Sequence, residues 1–381
     1  MMLVTLRQET YEIHNVDALM TPALLIYPEI VDANIRATLK MAGGDPNRWR
    51  PHIKTAKMST VLRRYLAHGV KNFKCSTTLE LSVACSVGAA DVLLAFPVMG
   101  ANARAAREIG DCFPGTRVSV LVESLDQARV WRGTGIGMFI DVNSGMNRTG
   151  IDQQALAEIV ELARKIGRQF RGVHYYDGHI AGLPSAELER RAHEGYDRLL
   201  QIVEALEANA VRVEEVITSG TPASPFALTY PRFRNAAFLH RISPGTVVFN
   251  DRNSLEQLPG FGYQPAALVL ATVISRPAAH WITCDAGHKS VSADAGVPTC
   301  AVIGHADWIP GKPSEEHLPI QIPPDAKVAL GEKLYLLPQH VCPTVNNFDE
   351  AVLIANGQIQ GITSVTARGH QSTAAAAGIA V

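Results

Sequence analysis

Residues 171–220 read RGVHYYDGHIAGLPSAELERRAHEGYDRLLQIVEALEANAVRVEEVITSG. The stretch opens with an apolar-rich run, Arg171–Tyr175, and closes with another, Glu215–Thr218. Between them, Glu187–Asn209 spaces Leu188, Tyr196, Leu199, Leu200, Val203 and Leu206 for one helical face. Strand, helix and strand in succession are one unit of an α/β fold.

The same alternation extends in both directions. Further strands are predicted at Arg50–Thr55, Asn72–Ser76, Asp91–Phe96, Thr116–Val122, Met138–Val142 and Ala236–Arg241. With the two above they make eight strand–helix units, which read as a (β/α)8 barrel. An open doubly wound sheet is the rival, because periodicity does not show closure. After Leu258-Pro259-Gly260 the pattern changes. Leu268–Ser275, Trp281–Cys284, Lys327–Leu330, Lys333–Leu337, Glu350–Ile354 and Gln358–Thr363 read as strands with turns between them, an all-β domain. The predicted organisation is a strand region at 1–27 that pairs with the β-domain, a barrel at 28–260 and a β-domain at 261–381. The alanine run Thr373–Gly378 reads as a frayed end.

Composition narrows the function. With 35 Lys+Arg against 36 Asp+Glu, no basic field exists to hold nucleic acid or an anionic membrane. No apolar run approaches the ~20 residues of a membrane span. Six scattered cysteines without CxxC spacing argue against a disulfide scaffold and for a reducing, cytoplasmic setting. A small-molecule partner is expected.

The unusual polar residues fall at C-terminal strand ends, where barrel enzymes build their sites. Lys54 ends the first predicted strand and Arg148 follows the fifth. Tyr176, Asp177 and His179 follow the sixth. Ser219-Gly220-Thr221 follows the seventh and Pro244-Gly245-Thr246 the eighth. Small-residue loops in the last two places often hold phosphate through backbone N–H groups. An amine facing a phosphate cradle suggests pyridoxal 5'-phosphate (PLP). Taken singly, each feature also has a bland reading: a solvated lysine, ordinary turns, a satisfied core histidine at His174.

RPHIKTAK (50–57) resembles the PLP-lysine segment of the D-threonine aldolase and D-serine dehydratase family, which shares the alanine racemase fold (fold-type III). DVNSGMNRTG (141–150), HYYDGHIAG (174–182), TSGTPAS (218–224), SPGTVVFND (243–251), DAGHKSVSAD (285–294) and SEEH (314–317) resemble family segments in family order. The resemblance implies that Lys54 carries the cofactor as a Schiff base. It implies that Arg148 meets the phenolic oxygen or the substrate carboxylate, and that Tyr176 lies against the ring. Ser219, Gly220, Thr221, Gly245 and Thr246 would hold the phosphate. No partner for the pyridine nitrogen is assigned. The family also implies a homodimer and preference for D-amino acids.

Leu334–Pro343 reads as a strand, in which His340 and Cys342, at i and i+2, would project together. HxC is a weak motif alone. In context it resembles the zinc pair of eukaryotic-type D-serine dehydratases, whereas D-threonine aldolases usually carry Asp at the second place. Thiolate favours zinc; manganese or magnesium would suit a carboxylate. The neighbouring Pro343–Asn346, DAGHK and SEEH segments look more aldolase-like.

The expected activity is therefore lyase chemistry on a D-β-hydroxy amino acid. Retro-aldol cleavage to glycine and an aldehyde comes first, with His179 as the base for the hydroxyl proton or as a brace for its loop. Dehydration of D-serine or 3-hydroxyaspartate to a 2-oxo acid and ammonia comes second. An amino-acid racemase would need no metal pair, and a PLP carrier would lack the β-domain.

Overall fold

The computed structural model describes residues 6–373 and divides the chain into two units. One comprises Met1–Ala37, Thr55–Arg64 and Thr246–Arg368; the other comprises Thr38–Lys54, Tyr65–Gly245 and Gly369–Val381. Thr55–Arg64 and the stretch from Thr246 go with the first unit, a division by contacts that differs from the 28–260 and 261–381 boundaries read from the strand pattern.

The second unit is built on a parallel sheet. Asn72–Cys75, Asp91–Leu94, Arg117–Val122, Gly137–Asn143, Phe170–Tyr175, Glu215–Thr218 and Leu239–Ile242 pair side by side in that order. Helices Thr78–Ser86, Gly100–Cys112, Leu125–Trp131, Leu156–Ile166 and Ser185–Ala208 lie between strands in the chain, as parallel pairing requires. The sheet is closed by residues 49–53. Trp49 bridges Ile242 and His52 bridges Lys74, both in parallel register. Arg50 N–H donates to Ile242 O at 2.9 Å, and Lys74 N–H to Pro51 O at 2.9 Å. This closure excludes the open doubly wound sheet. It also corrects the expected strand Arg50–Thr55. Pro51 has no N–H to give, so the segment makes isolated bridges rather than a ladder.

Alternate residues point inward and stack in layers, as in a packed barrel. Leu93, Leu121, Phe139 and Ile217 form one buried cluster. Two positions earlier on their strands, at the N-terminal end, stand Asp91 and Glu215. Arg50, Arg171 and Arg241 join them in a buried ion network. Two positions after Phe139 stands Asp141, and with it the site described below.

In the first unit, Ala267–Ala278 pairs antiparallel with Ala23–Ile26, Trp281–Cys284 and Lys333–Pro338. Ala23–Ile26 also pairs, in parallel, with Glu350–Ala355, and that strand pairs with Gln358–Ser364. Alternation serves two faces: Val269, Ala271 and Val273 enter one apolar cluster, Leu268 and Leu270 another. Cys300–Val302, Ile309–Pro310 and Leu318–Gln321 are short strands that the sequence pattern did not reveal. The expected strand Lys327–Leu330 is irregular instead. Ala329 N–H donates to the Glu332 carboxylate at 2.9 Å, and Gly331 turns the chain at φ +90°. No disulfide joins the six cysteines. No helix among the described residues is long and apolar enough to cross a membrane.

Candidate active site

Lys54 stands exposed at the end of the closing segment, its N–H 3.3 Å from His52 Nδ1. Two loops of the same unit have the character of a phosphate cradle. Ser219 sits at φ +55°, a backbone region unusual for a residue with a side chain. Its hydroxyl and that of Ser243 are buried, and neither has a hydrogen-bond partner. The loops are tied by Ser243 N–H donating to Ser219 O at 3.2 Å. Gly245 is required where it stands, because a Cβ there would lie 2.3 Å from His52 O. Orphaned hydroxyls beside backbone that a Cβ would fill suit a phosphate that accepts those donors. Thr221 is buried, and its carbonyl accepts from Ser224 Oγ at 2.8 Å. Thr246 belongs to the first unit, where its hydroxyl lies 3.7 Å from Cys342 Sγ.

Tyr176 is half-buried. The Arg148 guanidinium lies 5.1 Å from its ring centroid, and the Lys74 ammonium 5.4 Å. Arg148 is carried by a self-wired loop. Asn143 Oδ1 accepts from Gly145 N–H and Asn147 N–H, each at 3.0 Å. Ser144 Oγ donates to Tyr176 O at 2.6 Å and joins this loop to the next.

His179 is exposed and meets other neighbours. A Cβ on Gly145 would lie 3.4 Å from its Nε2. It lines a side cavity of about 240 Å³ with Ser144, Tyr175, Asp177, Arg191 and Arg198. Partial burial, with Arg191 nearby, lowers its pKa, which leaves the imidazole neutral and able to take a proton.

Sequence reading missed Lys74 and the buried chain that joins it to Asp141 through His174, which is the satisfied core histidine of the bland reading. Thr149 Oγ1 donates to Asp141 Oδ2 at 2.7 Å, and Asp141 Oδ1 lies 2.7 Å from His174 Nδ1. His174 Nε2 lies 3.2 Å from Lys74 Nζ. Burial, then the charges of Lys54 and Arg148, push Lys74 down to about 7 against the pull of Asp141 and Asp177. His174 is lowered by burial and by Lys74, with Asp141 opposing. Burial works against Asp141, but the hydrogen bonds from His174 and Thr149 and the charge of Arg148 outweigh it and hold the carboxyl low. Asp177, fully buried, is pushed up to about 6 by burial, although the Tyr196 hydroxyl donates to its Oδ2 at 2.9 Å. The available signal was Lys74 itself, a charge inside a strand with Phe73 and Cys75 on its other face.

In the first unit, the expected strand through His340 and Cys342 ends at Pro338. His340 is instead the N-cap of a short helix, Val341–Asn346, and Cys342 lies in its first turn. Pro343 suits that first turn and would break a ladder, while the Asp251 carboxylate accepts the Val341 N–H at 2.9 Å. The two side chains still meet. Burial opposes a proton on His340, but contact with Cys342 and with Asp294 outweighs it and pushes the imidazole up to about 9. Asp294 Oδ2 lies 2.6 Å from His340 Nδ1, the arrangement of a carboxylate behind a metal-binding histidine. Thr55 Oγ1 lies 3.0 Å from Cys342 Sγ. Imidazole, thiol and a backing carboxylate fit a borderline-soft ion such as zinc. Among the described residues no group of three or more His, Cys, Asp or Glu gathers as a ready-made metal site.

Comparison with known proteins agrees with this architecture. The alanine racemase N-terminal domain family model matches residues 26–252, and a putative serine dehydratase domain model matches residues 266–354. The chain is 26% identical to a D-threonine aldolase of Arthrobacter sp., over 92% of this chain and 93% of that protein. It is 26% identical to a D-threo-3-hydroxyaspartate dehydratase of Delftia sp. (strain HT23), over 89% and 96%. The crystal structure of D-threonine aldolase from Filomicrobium marinum superposes with a TM-score of 0.83 at 26% identity, covering 93% of this chain and 97% of that one.

Proposed function

We propose that this chain, which belongs to the alanine racemase N-terminal domain family of PLP-dependent enzymes, cleaves a D-β-hydroxy amino acid into glycine and an aldehyde. The observation that carries the reading is its likeness to D-threonine aldolases along nearly their whole length.

In this reading Lys54 holds the cofactor covalently. Ser219, Gly220, Thr221 and Gly245 receive its phosphate, Arg148 its phenolic oxygen or the substrate carboxylate, and Tyr176 its ring. PLP bound there supplies an electron sink for the pair left on Cα when a bond to Cα breaks. His179 takes the β-hydroxyl proton; the C–O bond becomes C=O, the Cα–Cβ pair passes to Cα, and a proton returned to Cα completes glycine. His340 and Cys342 would hold a divalent ion, zinc first, and it would supply Lewis acidity.

Dehydration is the second reading. It is favoured by Cys342 in place of an aldolase-type aspartate and by the serine dehydratase match over residues 266–354. Incubation with D-threonine separates the two. Glycine and acetaldehyde support cleavage; 2-oxobutanoate and ammonia without glycine establish dehydration. His179→Asn is expected to lower turnover by about 10²-fold or more, and near wild-type turnover would leave His179 a brace. Cys342→Ala is expected to lose zinc that the wild type retains through dialysis.

A further inference from the structure

The buried lysine inside the barrel is unfinished. Lys74 is 2% exposed, and its ammonium carries three N–H donors. One is met by His174 Nε2 at 3.2 Å. Among the described residues no carboxylate forms an ion pair with it, and the Tyr176 ring centroid lies 5.4 Å away. A nearly fully buried amine with donors to spare is costly unless an acceptor arrives.

Its direction is set from behind. Asp141 accepts from Thr149 and from His174 Nδ1, so Nε2 of a neutral His174 carries the lone pair and Lys74 donates to it. This chain pins the amine while leaving its other hydrogens for something else. Backbone register sets Lys74 opposite His52, two residues before Lys54. The two amines also act on each other electrostatically.

We propose that Lys74 donates a hydrogen bond to the pyridine nitrogen of the bound cofactor. The inference rests on the reading of Lys54 and the two loops as the PLP site. That reading engages the aldehyde carbon and the phosphate, and offers Arg148 to the phenolic oxygen or the substrate carboxylate. It gives no partner to the ring nitrogen, para to the carbon that bears the aldehyde, and Lys74 is a buried charged donor with hydrogens to spare beside the Tyr176 ring that would lie against the cofactor. A donor at this place keeps the nitrogen unprotonated, where a carboxylate would keep it protonated.

The test compares PLP with an analogue carrying C–H in place of the ring nitrogen, each bound to cofactor-stripped protein. Wild type is expected to prefer PLP by about tenfold or more, and Lys74→Met to show no preference beyond about twofold. Lys74→Arg should restore part of it. An equal preference in wild type and Lys74→Met overturns the proposal. A second measurement needs no variant: ¹⁵N NMR of ring-labelled PLP in the wild-type holoenzyme. An unprotonated, hydrogen-bonded nitrogen supports the proposal; a pyridinium overturns it, even if Lys74→Met does not fold. Borohydride reduction of the same holoenzyme tests the underlying reading separately. Label away from Lys54 overturns the cofactor site and the inference together, whereas label at Lys54 with an unchanged preference overturns the inference alone.

Discussion

The barrel encloses charge at both ends of its interior, and the two ends are completed differently. At the N-terminal end Arg50 is fully buried and meets two carboxylates. Its Nε and Nη2 each lie 2.9 Å from the Glu215 carboxylate, and its Nη1 lies 2.9 Å from Asp91 and 3.2 Å from Phe73 O. Arg171 reaches Asp91 Oδ2 at 2.8 Å, and Arg241 pairs with Glu215. At the C-terminal end Lys74 has a neutral imidazole and no carboxylate partner among the described residues. A buried charge whose partners come from the protein serves the fold. One left incomplete marks where a ligand is expected.

Substitutions at the two ends should therefore move stability in opposite directions. Arg50→Met strips Asp91 and Glu215 of a shared cation and is expected to cost about 3–5 kcal/mol in urea unfolding. A cost below about 1 kcal/mol would mean that Arg171 and Arg241 suffice, and would break the contrast at its paired end.

Lys74→Met should stabilise the cofactor-free protein by about 2 kcal/mol at pH 6. The folded lysine titrates near 7, below its unfolded value, so the unfolded chain binds the extra proton between those points. Wild-type stability then rises with pH across that window, and the variant's gain fades as pH approaches 10. Denaturant curves at pH 6 and pH 9.5 measure this. A loss of stability at pH 6 would assign Lys74 a structural role.

Asp177 sharpens the contrast through a smaller effect of the other sign in pH. Its folded value near 6 lies above the unfolded one, so the folded state binds the extra proton between about 4 and 6. Wild-type stability falls as pH rises through that window. Asp177→Asn should flatten the slope and gain about 1 kcal/mol above pH 6. Asp91, at the paired end, behaves conversely. Burial opposes its charge, but Arg50 and Arg171 hold its pKa far below the ordinary value. Its contribution is present at neutral pH and is lost as acid protonates it. Parallel slopes for Asp177→Asn and wild type between pH 4 and 6 would show that the two ends do not differ.

Legibility in the sequence followed the range of the interactions. Glu215–Thr218 and Trp281–Cys284 could be bounded because strand character is written in their own residues. Helix 187–209 was off by two residues at its start and one at its end, since Ser185–Ala208 carries its apolar stripe throughout. The closing segment failed as a strand through one local cause, Pro51. The helix at Cys342 was hidden because its cap comes from Asp251, 90 residues away. Lys54, Arg148 and the two loops stood out by their place at strand ends. Lys74 did not, because its meaning depends on His174, 100 residues on, and on carboxylates that fail to reach it.

The central claim is that the exposed amine, Lys54, carries the cofactor while the buried amine, Lys74, does not. Reduction of the holoenzyme with borohydride, followed by proteolysis and mass spectrometry, separates them in one measurement. The account expects the pyridoxyl label on Lys54 alone. Label on Lys74, or a protein that retains no PLP to reduce, would contradict it.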